Sequence, residues 1–232
     1  LELSIPSLLT RPIHETVLFS CFGGRHAADS PLAIHQELEK RGYDGTLVWA
    51  VADNSYALPP GARSVVIGSA AYFETLHTSR WLVNNNNFPH YFRKRADQRY
   101  LQTWHGTPLK RIGRDVPSKN LSLSYRALME REVRAWDVLL AQNSFSATTL
   151  PQAFGYDGET LELGYPRNDL LAAPANAGRL AAIRAALGVR PDARLLLYAP
   201  TWRDTRRTAN RRYALVNHLQ LDRISKSLGE AW

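Results

Sequence analysis

One histidine, His105, stands in the segment YLQTWHGTPLKRIG, directly after a run rich in apolar side chains. An imidazole has an unperturbed pKa of about 6.5, so it can accept a proton at neutral pH and return it later. Gly106 allows a turn or the close approach of a substrate, and Pro108 stiffens the exit from that turn. The segment predicts a general base at His105. A structural loop histidine is the alternative that the residues alone leave open.

The same segment carries three cations soon after the histidine: Lys110, Arg111 and Arg114. Ammonium and guanidinium groups suit phosphate oxygens, and an arginine can form two parallel hydrogen bonds to them. A phosphate-binding role is one interpretation of these cations. Solvated surface charges are the other.

Two further segments place polar and charged residues directly after predicted strands. In YAPTWRD, Thr201 can donate a hydrogen bond to a phosphate and Arg203 can bind one with two hydrogen bonds, although a structural pair between Arg203 and Asp204 is favoured by the residues alone. In GYPRND, Arg167 supplies a cation, and a capped turn is the favoured interpretation.

A basic and aromatic segment, NNNNFPHYFRKR, could in principle stack on and neutralise a nucleic acid. A solvated helix face is the commoner origin of such a run, so we predict no nucleic-acid partner. The residues concerned are His90, Tyr91, Arg93, Lys94 and Arg95.

The composition indicates a globular chain with an anionic partner. Its 232 residues are 44% hydrophobic, its formal net charge is +8 and its pI is about 9.8. The single cysteine, Cys21, excludes a disulfide within the chain and favours a reducing, cytoplasmic compartment. We predict no transmembrane helix and no signal peptide, because no apolar run reaches the roughly 18 residues that a membrane span needs.

Strands alternate with helices along most of the sequence, which is typical of a parallel sheet. The helix after the first strand is predicted to have Ser30 as its cap, Pro31 as its first residue and Gly42 as its stop. The domain prediction has three parts: a Rossmann-like domain over residues 1–173, a junction over 174–193, and the incomplete start of a second Rossmann-like domain over 194–232. That second domain is predicted to open with the strand LLLYAP.

Several nucleotide and metal motifs are absent from the sequence. It contains no GxxxxGK[ST] loop, no complete GxGxxG and no paired cysteines for zinc, and its seven histidines lack metal-ligand spacing. We therefore predict neither a cofactor nor a metal.

An ordered set of motifs resembles the CDP-glycerol glycerophosphotransferase family of bacterial teichoic-acid polymerases and primases, together with related capsule polymerases. The motifs are NNNNFPHYFRKRADQ, YLQTWHGTPLKRIG, WDVLLAQNSFS, AFGYDGETLELGYPRNDLL and LLLYAPTWRD, and the likeness covers roughly Val65 to Asp204. The resemblance implies a two-domain, glycosyltransferase-B-like α/β fold with the active site between the domains.

The resemblance also implies a reaction and its site residues. An acceptor hydroxyl attacks the β-phosphate of a CDP-alditol, most simply CDP-glycerol, releasing CMP and leaving a phosphodiester in a cell-wall or capsule polymer. His105 is implied as the catalytic base. The implied substrate-binding residues are Gly106, Thr107, Lys110, Arg111, Arg167, Thr201, Arg203 and Asp204.

The family's second functional histidine lies beyond the APTWRD motif, and we do not assign it to His218. We accordingly expect this chain to be a piece of a longer protein, and whether it acts alone is left open. The expected partners are a CDP-alditol donor, a polyol-phosphate or lipid-linked acceptor, and an anionic surface on the inner face of the cell membrane. Two other functions stay open: a nucleotide-sugar glycosyltransferase of the same fold, and a basic module that binds anionic lipid or polymer.

Overall fold

The computed structural model describes residues 5–172, 176–199 and 219–228, and it divides the chain into two compact units, 1–172 and 173–232. The first unit is built on a seven-stranded sheet in which every neighbouring pair of strands is parallel. This confirms the parallel α/β sheet predicted from the sequence. The strands are β1 (His14–Ser20), β2 (Thr46–Val51), β3 (Arg63–Val66), β4 (Ser79–Asn84), β5 (Arg99–Gln102), β6 (Val138–Ala141) and β7 (Glu159–Glu162).

Four helices of the first unit, those within residues 29–154, connect strands, and three of these begin at side-chain caps. Ser69, Ser122 and Asn143 each accept a hydrogen bond from a backbone N–H in the first turn of the helix that follows. Such caps satisfy donors that a helix start leaves unpaired. The helices are α1 (Ile5–Leu8), α2 (Asp29–Lys40), α3 (Ala70–Thr78), α4 (Leu123–Ala135), α5 (Ser144–Phe154) and α6 (Asp169–Ala172).

The predicted start of α2 is wrong: the helix begins two residues before Pro31, at Asp29, which is a residue of the site described below. The helix begins at Asp29, after Ala28, and the Ser30 hydroxyl makes no cap. Asp29 has a φ of 60°, and its Oδ1 accepts a hydrogen bond from the Ser30 N–H at 2.7 Å. The Asp29 carboxylate thus binds the next backbone N–H, and the helix start has no side-chain cap.

The strand order is β3-β2-β1-β4-β5-β6-β7, so the direction of winding reverses between β1 and β4. In open parallel sheets, ligands bind beyond the carboxyl ends of the strands at this reversal. Ser20 pairs with Asn84, and Asn84 pairs with Gln102, so β1, β4 and β5 end at the same edge of the sheet. The loops that follow these three strands are therefore the natural place for a site.

Both faces of the sheet are covered, as parallel sheets require. On one face, side chains of β1, β4 and β5 pack with those of α3, α4 and α5. On the other face, β1 and β2 pack against α2 around the fully buried Phe19 and Trp49. These two cores fix the strand ends that carry the loops.

The basic and aromatic segment does not form the predicted helix face. Residues 88–98 have no helix, and two of their cations have carboxylate partners within the unit. The Lys94 Nζ lies 2.7 Å from Asp137 Oδ1, and the Arg95 Nη2 lies 3.0 Å from Asp97 Oδ2. The first pair joins this irregular segment to the residue that precedes β6, and the second lies within the segment.

The second unit contains α7 (Ala177–Ala186), capped by the Asn176 side chain, and α8 (Leu221–Leu228). The strand predicted at LLLYAP is wrong over its described residues, since 195–199 have no regular structure and Leu195, Leu196 and Leu197 are exposed. A strand needs a neighbour to pair with, and the described part of this unit contains no other strand. Thr201, Arg203, Asp204 and His218 lie outside the described residues. No helix in the described part of the chain is long and apolar enough to cross a membrane.

Candidate active site at the sheet edge

His105 follows the end of β5 by three residues, at the edge where β1 and β4 also end. The Trp104 indole stacks on its imidazole, with ring centroids 4.2 Å apart and planes 24° from parallel. The Phe22 ring, from the loop after β1, lies 5.8 Å from the same imidazole. The histidine is thus held by aromatic side chains from two loops while remaining exposed to solvent.

The backbone around His105 is strained. In the described residues, positive φ values occur at three non-glycine positions: Phe22 at 47°, Asp29 at 60° and Trp104 at 53°. Each such conformation costs on the order of 1–3 kcal/mol and persists only where the surroundings enforce it. Phe22 and Trp104 contact the imidazole directly, and Asp29 connects to His105 through Arg167. Strain concentrated at one place is typical of a functional site.

Arg167 connects the turn after β7 to both α2 and the His105 loop. Its Nη1 donates to Asp29 Oδ1 at 2.7 Å and to the carbonyl oxygen of His105 at 2.9 Å. Its guanidinium also lies over the Tyr165 ring, 4.9 Å from the centroid, and the Tyr165 hydroxyl donates to the Gly106 carbonyl at 3.3 Å. The structure therefore brings Arg167 next to His105 through the backbone of the loop.

The side chain of Asn85, the first residue after β4, holds Asp29 and the loop after β1. Its Oδ1 accepts from the Phe22 N–H at 2.9 Å, and its Nδ2 donates to Asp29 Oδ2 at 2.8 Å and to Cys21 Sγ at 3.3 Å. Burial raises the pKa of the Cys21 thiol to about 11, so this sulfur stays protonated at neutral pH. Asn85 is fully buried and links loops on both sides of the winding reversal.

The environment keeps the His105 imidazole neutral at pH 7. Desolvation by the surrounding loops lowers the pKa of His105 below its ordinary value of about 6.5. The carboxylate of Asp29 raises this pKa in part, and the guanidinium of Arg167 lowers it further. A neutral, solvent-accessible imidazole can accept a proton from a hydroxyl.

The other predicted site residues of this loop differ in what they contact. A Cβ added at Gly106 would meet nothing within 4 Å, so there is open space beside His105. The Thr107 hydroxyl donates to Gln142 Oε1 at 2.9 Å, which connects the loop to the end of β6. Lys110 and Arg111 are exposed further along the same loop.

A cavity of about 260 Å³ lies between α4, α5 and the segment after Gly113. Arg114, one of the three cations considered for phosphate binding, lines it, whereas His105, Lys110 and Arg111 do not. The candidate site is thus an open edge and not this cavity. Among the described residues, no group of three or more His, Cys, Asp or Glu side chains could hold a metal ion.

Asp29, Asn85 and Phe22 were not predicted as site residues. The run Asn84–Asn87 gave a signal that could have been used, since consecutive amides directly after an apolar strand are unusual in a merely structural loop. Asp29 and Phe22 gave no comparable signal, because their roles depend on partners far away in the sequence.

A sequence model of the family described as CDP-glycerol:poly(glycerophosphate) glycerophosphotransferase matches residues 6–232. The chain belongs to this family. The assignment rests on nearly the whole chain and therefore extends the likeness found in the central motifs to the N-terminal segment.

Curated relatives in this glycerophosphotransferase family include proteins of two staphylococci. The chain is 34% identical over 223 residues to a teichoic acid poly(glycerol phosphate) polymerase of Staphylococcus epidermidis, covering 93% of this chain and 31% of that protein. It is 28% identical over 228 residues to a teichoic acid glycerol-phosphate transferase of Staphylococcus aureus, covering 94% of this chain and 58% of that protein. The chain thus spans 31% of the length of the first relative and 58% of the length of the second.

Solved structures of the wall teichoic acid polymerase TagF share the fold. One superposes with a TM-score of 0.84 at 33% identity, covering 94% of this chain and 55% of that one. A histidine variant of the same polymerase, soaked with CDPG, gives a TM-score of 0.84 at 32% identity, covering 97% of this chain and 56% of that one. The glycosyltransferase-B-like α/β fold class expected from the sequence is confirmed.

Proposed function

We propose that the full-length protein containing this chain transfers glycerol phosphate from CDP-glycerol to an acceptor hydroxyl, with His105 as the general base. The observation that carries the proposal is the exposed imidazole of His105 just after β5, at the edge of the sheet where the winding reverses, in a member of this family. The CDPG soak of the related polymerase supports the identity of the donor.

In the proposed reaction, His105 removes the proton of the acceptor hydroxyl as its oxygen attacks the β-phosphorus of the donor. A new P–O bond forms, the bond from that phosphorus to the bridging oxygen breaks, and CMP leaves with the electron pair. Such phosphoryl transfer depends mainly on positioning and on stabilising charge. Little covalent chemistry is asked of the protein beyond the proton transfer.

The proposed substrate contacts follow from the surroundings of His105. Gly106 leaves space for the acceptor, Thr107 orients the loop through Gln142, and Lys110 and Arg111 contribute positive charge toward the phosphates. Arg167 both fixes the His105 carbonyl and lowers the pKa of the imidazole. Thr201, Arg203 and Asp204 stay predicted substrate-binding residues, with Arg203 on the phosphate side.

We also propose that the acceptor is a glycerol-phosphate polymer or its lipid-linked start, reached from the cytoplasmic side of the membrane. The net charge of +8 supports attraction to an anionic polymer or membrane surface. Flotation of the full-length protein with anionic vesicles tests the membrane contact. Binding that weakens as salt rises is expected, and no flotation at low salt would contradict it.

The direct test of the proposed activity is the release of CMP by the full-length protein supplied with CDP-glycerol and a glycerol-phosphate acceptor. CMP release with phosphodiester formation is expected. Sugar transfer from a nucleotide sugar, without cleavage of any CDP-alditol, would select the glycosyltransferase alternative instead. Binding of anionic polymer without any transfer would select the binding-module alternative.

A further inference from the structure

A series of hydrogen bonds connects the backbone beside His105 to a buried carboxylate on α4. The Trp104 N–H donates to Gln102 Oε1 at 2.9 Å, and Gln102 Nε2 donates to the Tyr100 hydroxyl oxygen at 3.3 Å. The Tyr100 hydroxyl in turn donates to Glu132 Oε1. Every donor in this series points the same way, from Trp104 toward Glu132.

The positions of these residues follow from strand geometry. Tyr100 and Gln102 are two residues apart on β5, so their side chains lie on the same face of the sheet. That face packs against α4, which supplies Glu132. The exposed fractions are 3% for Glu132, 1% for Tyr100 and 0% for Gln102, so water does not compete for these hydrogen bonds.

Backbone contacts hold the members of the series in place. The Phe88 N–H donates to Glu132 Oε1 at 3.1 Å, and Gln102 Nε2 also donates to the carbonyl of Asn86 at 2.9 Å. A buried carboxylate is costly unless its hydrogen bonds are satisfied. Replacing it with an apolar residue would be the simpler way to fill this core, so its presence calls for a role beyond packing.

We place the role of the Glu132 carboxylate at Trp104, where the series of hydrogen bonds begins. Its φ of 53° is unfavourable for a bulky residue, and its N–H is held by the hydrogen bond to Gln102, while its carbonyl oxygen accepts from the Thr103 hydroxyl at 3.1 Å. The indole of Trp104 stacks directly on the His105 imidazole. A change in the Trp104 backbone would therefore move the ring that supports the histidine.

We propose that Glu132, Tyr100 and Gln102 are positioning residues that hold Trp104 in its left-handed conformation and thereby fix the orientation of His105. The effect on catalysis rests on the proposed function, whereas the effect on the Trp104 backbone does not.

The test variant is Tyr100→Phe, which removes one hydroxyl from the middle of the series and keeps the ring. Hydrogen exchange of the Trp104 amide should become about tenfold faster, as expected for the loss of a buried hydrogen bond. In the full-length protein, kcat for CMP release should fall about tenfold while KM for CDP-glycerol changes little, because the donor contacts stay intact. Tyr125→Phe, an exposed tyrosine of α4, is the matched control and should change neither quantity.

Glu132→Gln and Glu132→Leu separate positioning from a general effect on folding. Gln keeps an oxygen that accepts from Tyr100 and Phe88, so it should preserve amide protection and kcat to within about threefold. Leu removes the acceptor and should behave like Tyr100→Phe. Glu130→Leu, an exposed carboxylate on the same helix, is its control.

Unchanged exchange at Trp104 in Tyr100→Phe would overturn the proposal, whatever the activity. Faster exchange with an unchanged kcat would overturn its catalytic part while leaving the proposed function intact. Failure of the wild-type protein to release CMP would instead count against the proposed function, and the exchange experiment would still decide whether this series holds the Trp104 peptide.

Discussion

The Nη1 of Arg167 lies 2.9 Å from the carbonyl oxygen of His105 and 2.7 Å from Asp29 Oδ1. One guanidinium therefore joins the turn after β7, the loop after β5 and the start of α2. The Asp29 side chain is only 5% exposed, and its carboxylate accepts hydrogen bonds from Arg167 and Asn85. Arg167 is 62 positions from His105 and 138 positions from Asp29 in the sequence. The position of the candidate base therefore depends on long-range contacts.

Replacing this guanidinium should destabilise the protein. Arg167→Met leaves the Asp29 carboxylate buried without its cation, which we expect to lower the free energy of unfolding by about 2 kcal/mol, because Arg167 itself is partly exposed. Urea denaturation measures this change, with Arg63→Met, an exposed cation on β3, as the control. Adding Asp29→Asn should recover part of the loss. An Arg167→Met midpoint equal to that of the wild type would contradict the account.

The pH dependence of activity should follow the His105 imidazole. Since desolvation lowers its pKa below about 6.5, kcat/KM should be flat through pH 7 and fall at lower pH as the ring becomes protonated. Asp29 raises this pKa, so Asp29→Asn should move the acidic limb to lower pH. Arg167 lowers it, so Arg167→Met should move the limb to higher pH.

Initial rates of CMP release from about pH 5 to about pH 8 measure both shifts. The two variants provide each other's control, because a general loss of structure would move both limbs alike. Shifts in the same direction, or no shift in either variant, would show that protonation of His105 does not cause the fall of kcat/KM at low pH.

Gly106 should matter for the reaction and not for the fold. A Cβ at this position meets nothing within 4 Å, so Gly106→Ala should change the thermal midpoint by no more than about 1 °C. If a substrate occupies the open space, the added methyl group should lower kcat/KM by about tenfold or more. Gly61→Ala, at a turn with a φ of 76°, is a contrasting control that should affect stability instead. Full activity in Gly106→Ala would place the acceptor elsewhere.

The buried Glu132 should make folding depend on pH in an unusual direction. Burial raises the pKa of Glu132 to about 7, and hydrogen bonds from Tyr100 and Phe88 lower it only in part. Between the unfolded value of about 4.3 and the folded value, the folded state binds more protons, so stability falls as pH rises through this window. The contribution is about 4 kcal/mol at most.

Glu132→Gln cannot titrate, so its free energy of unfolding should be flatter than that of the wild type between about pH 5 and about pH 7. Denaturation at several pH values provides the comparison. Parallel curves for the two proteins across this range would show that the carboxylate is ionised throughout and would contradict the raised pKa.

The sheet could be predicted from the sequence because buried parallel strands appear as short apolar runs between helices, as in TLVWAV of β2. Apolarity alone does not show whether a strand has neighbours, and LLLYA therefore looked like a strand although it lies exposed without a partner strand in the described residues. The strand order was equally hidden, since the pairing of β1 with β4 joins segments that are far apart along the chain.

His105 could be found because its immediate neighbours form a recognisable motif. Asp29 could not, because its significance comes from Arg167, 138 residues later, and from Asn85 across the sheet. Glu132 resembled any other acidic residue of a charged helix until its hydrogen bond with Tyr100 was known. Residues that act through long-range contacts have no local signature, whereas the residue they position has one.

The measurement that tests the central claim most directly is CMP release from CDP-glycerol by the full-length protein carrying His105→Ala. His26→Ala is its matched control, because His26 is exposed and its ring lies 6.4 Å from Phe22, the residue that also contacts His105. Loss of a general base should lower kcat by about 10²- to 10⁴-fold in His105→Ala, with the unfolding midpoint unchanged, while His26→Ala stays near the wild-type rate. A His105→Ala protein that releases CMP at the wild-type rate would contradict the assignment of His105 as the base.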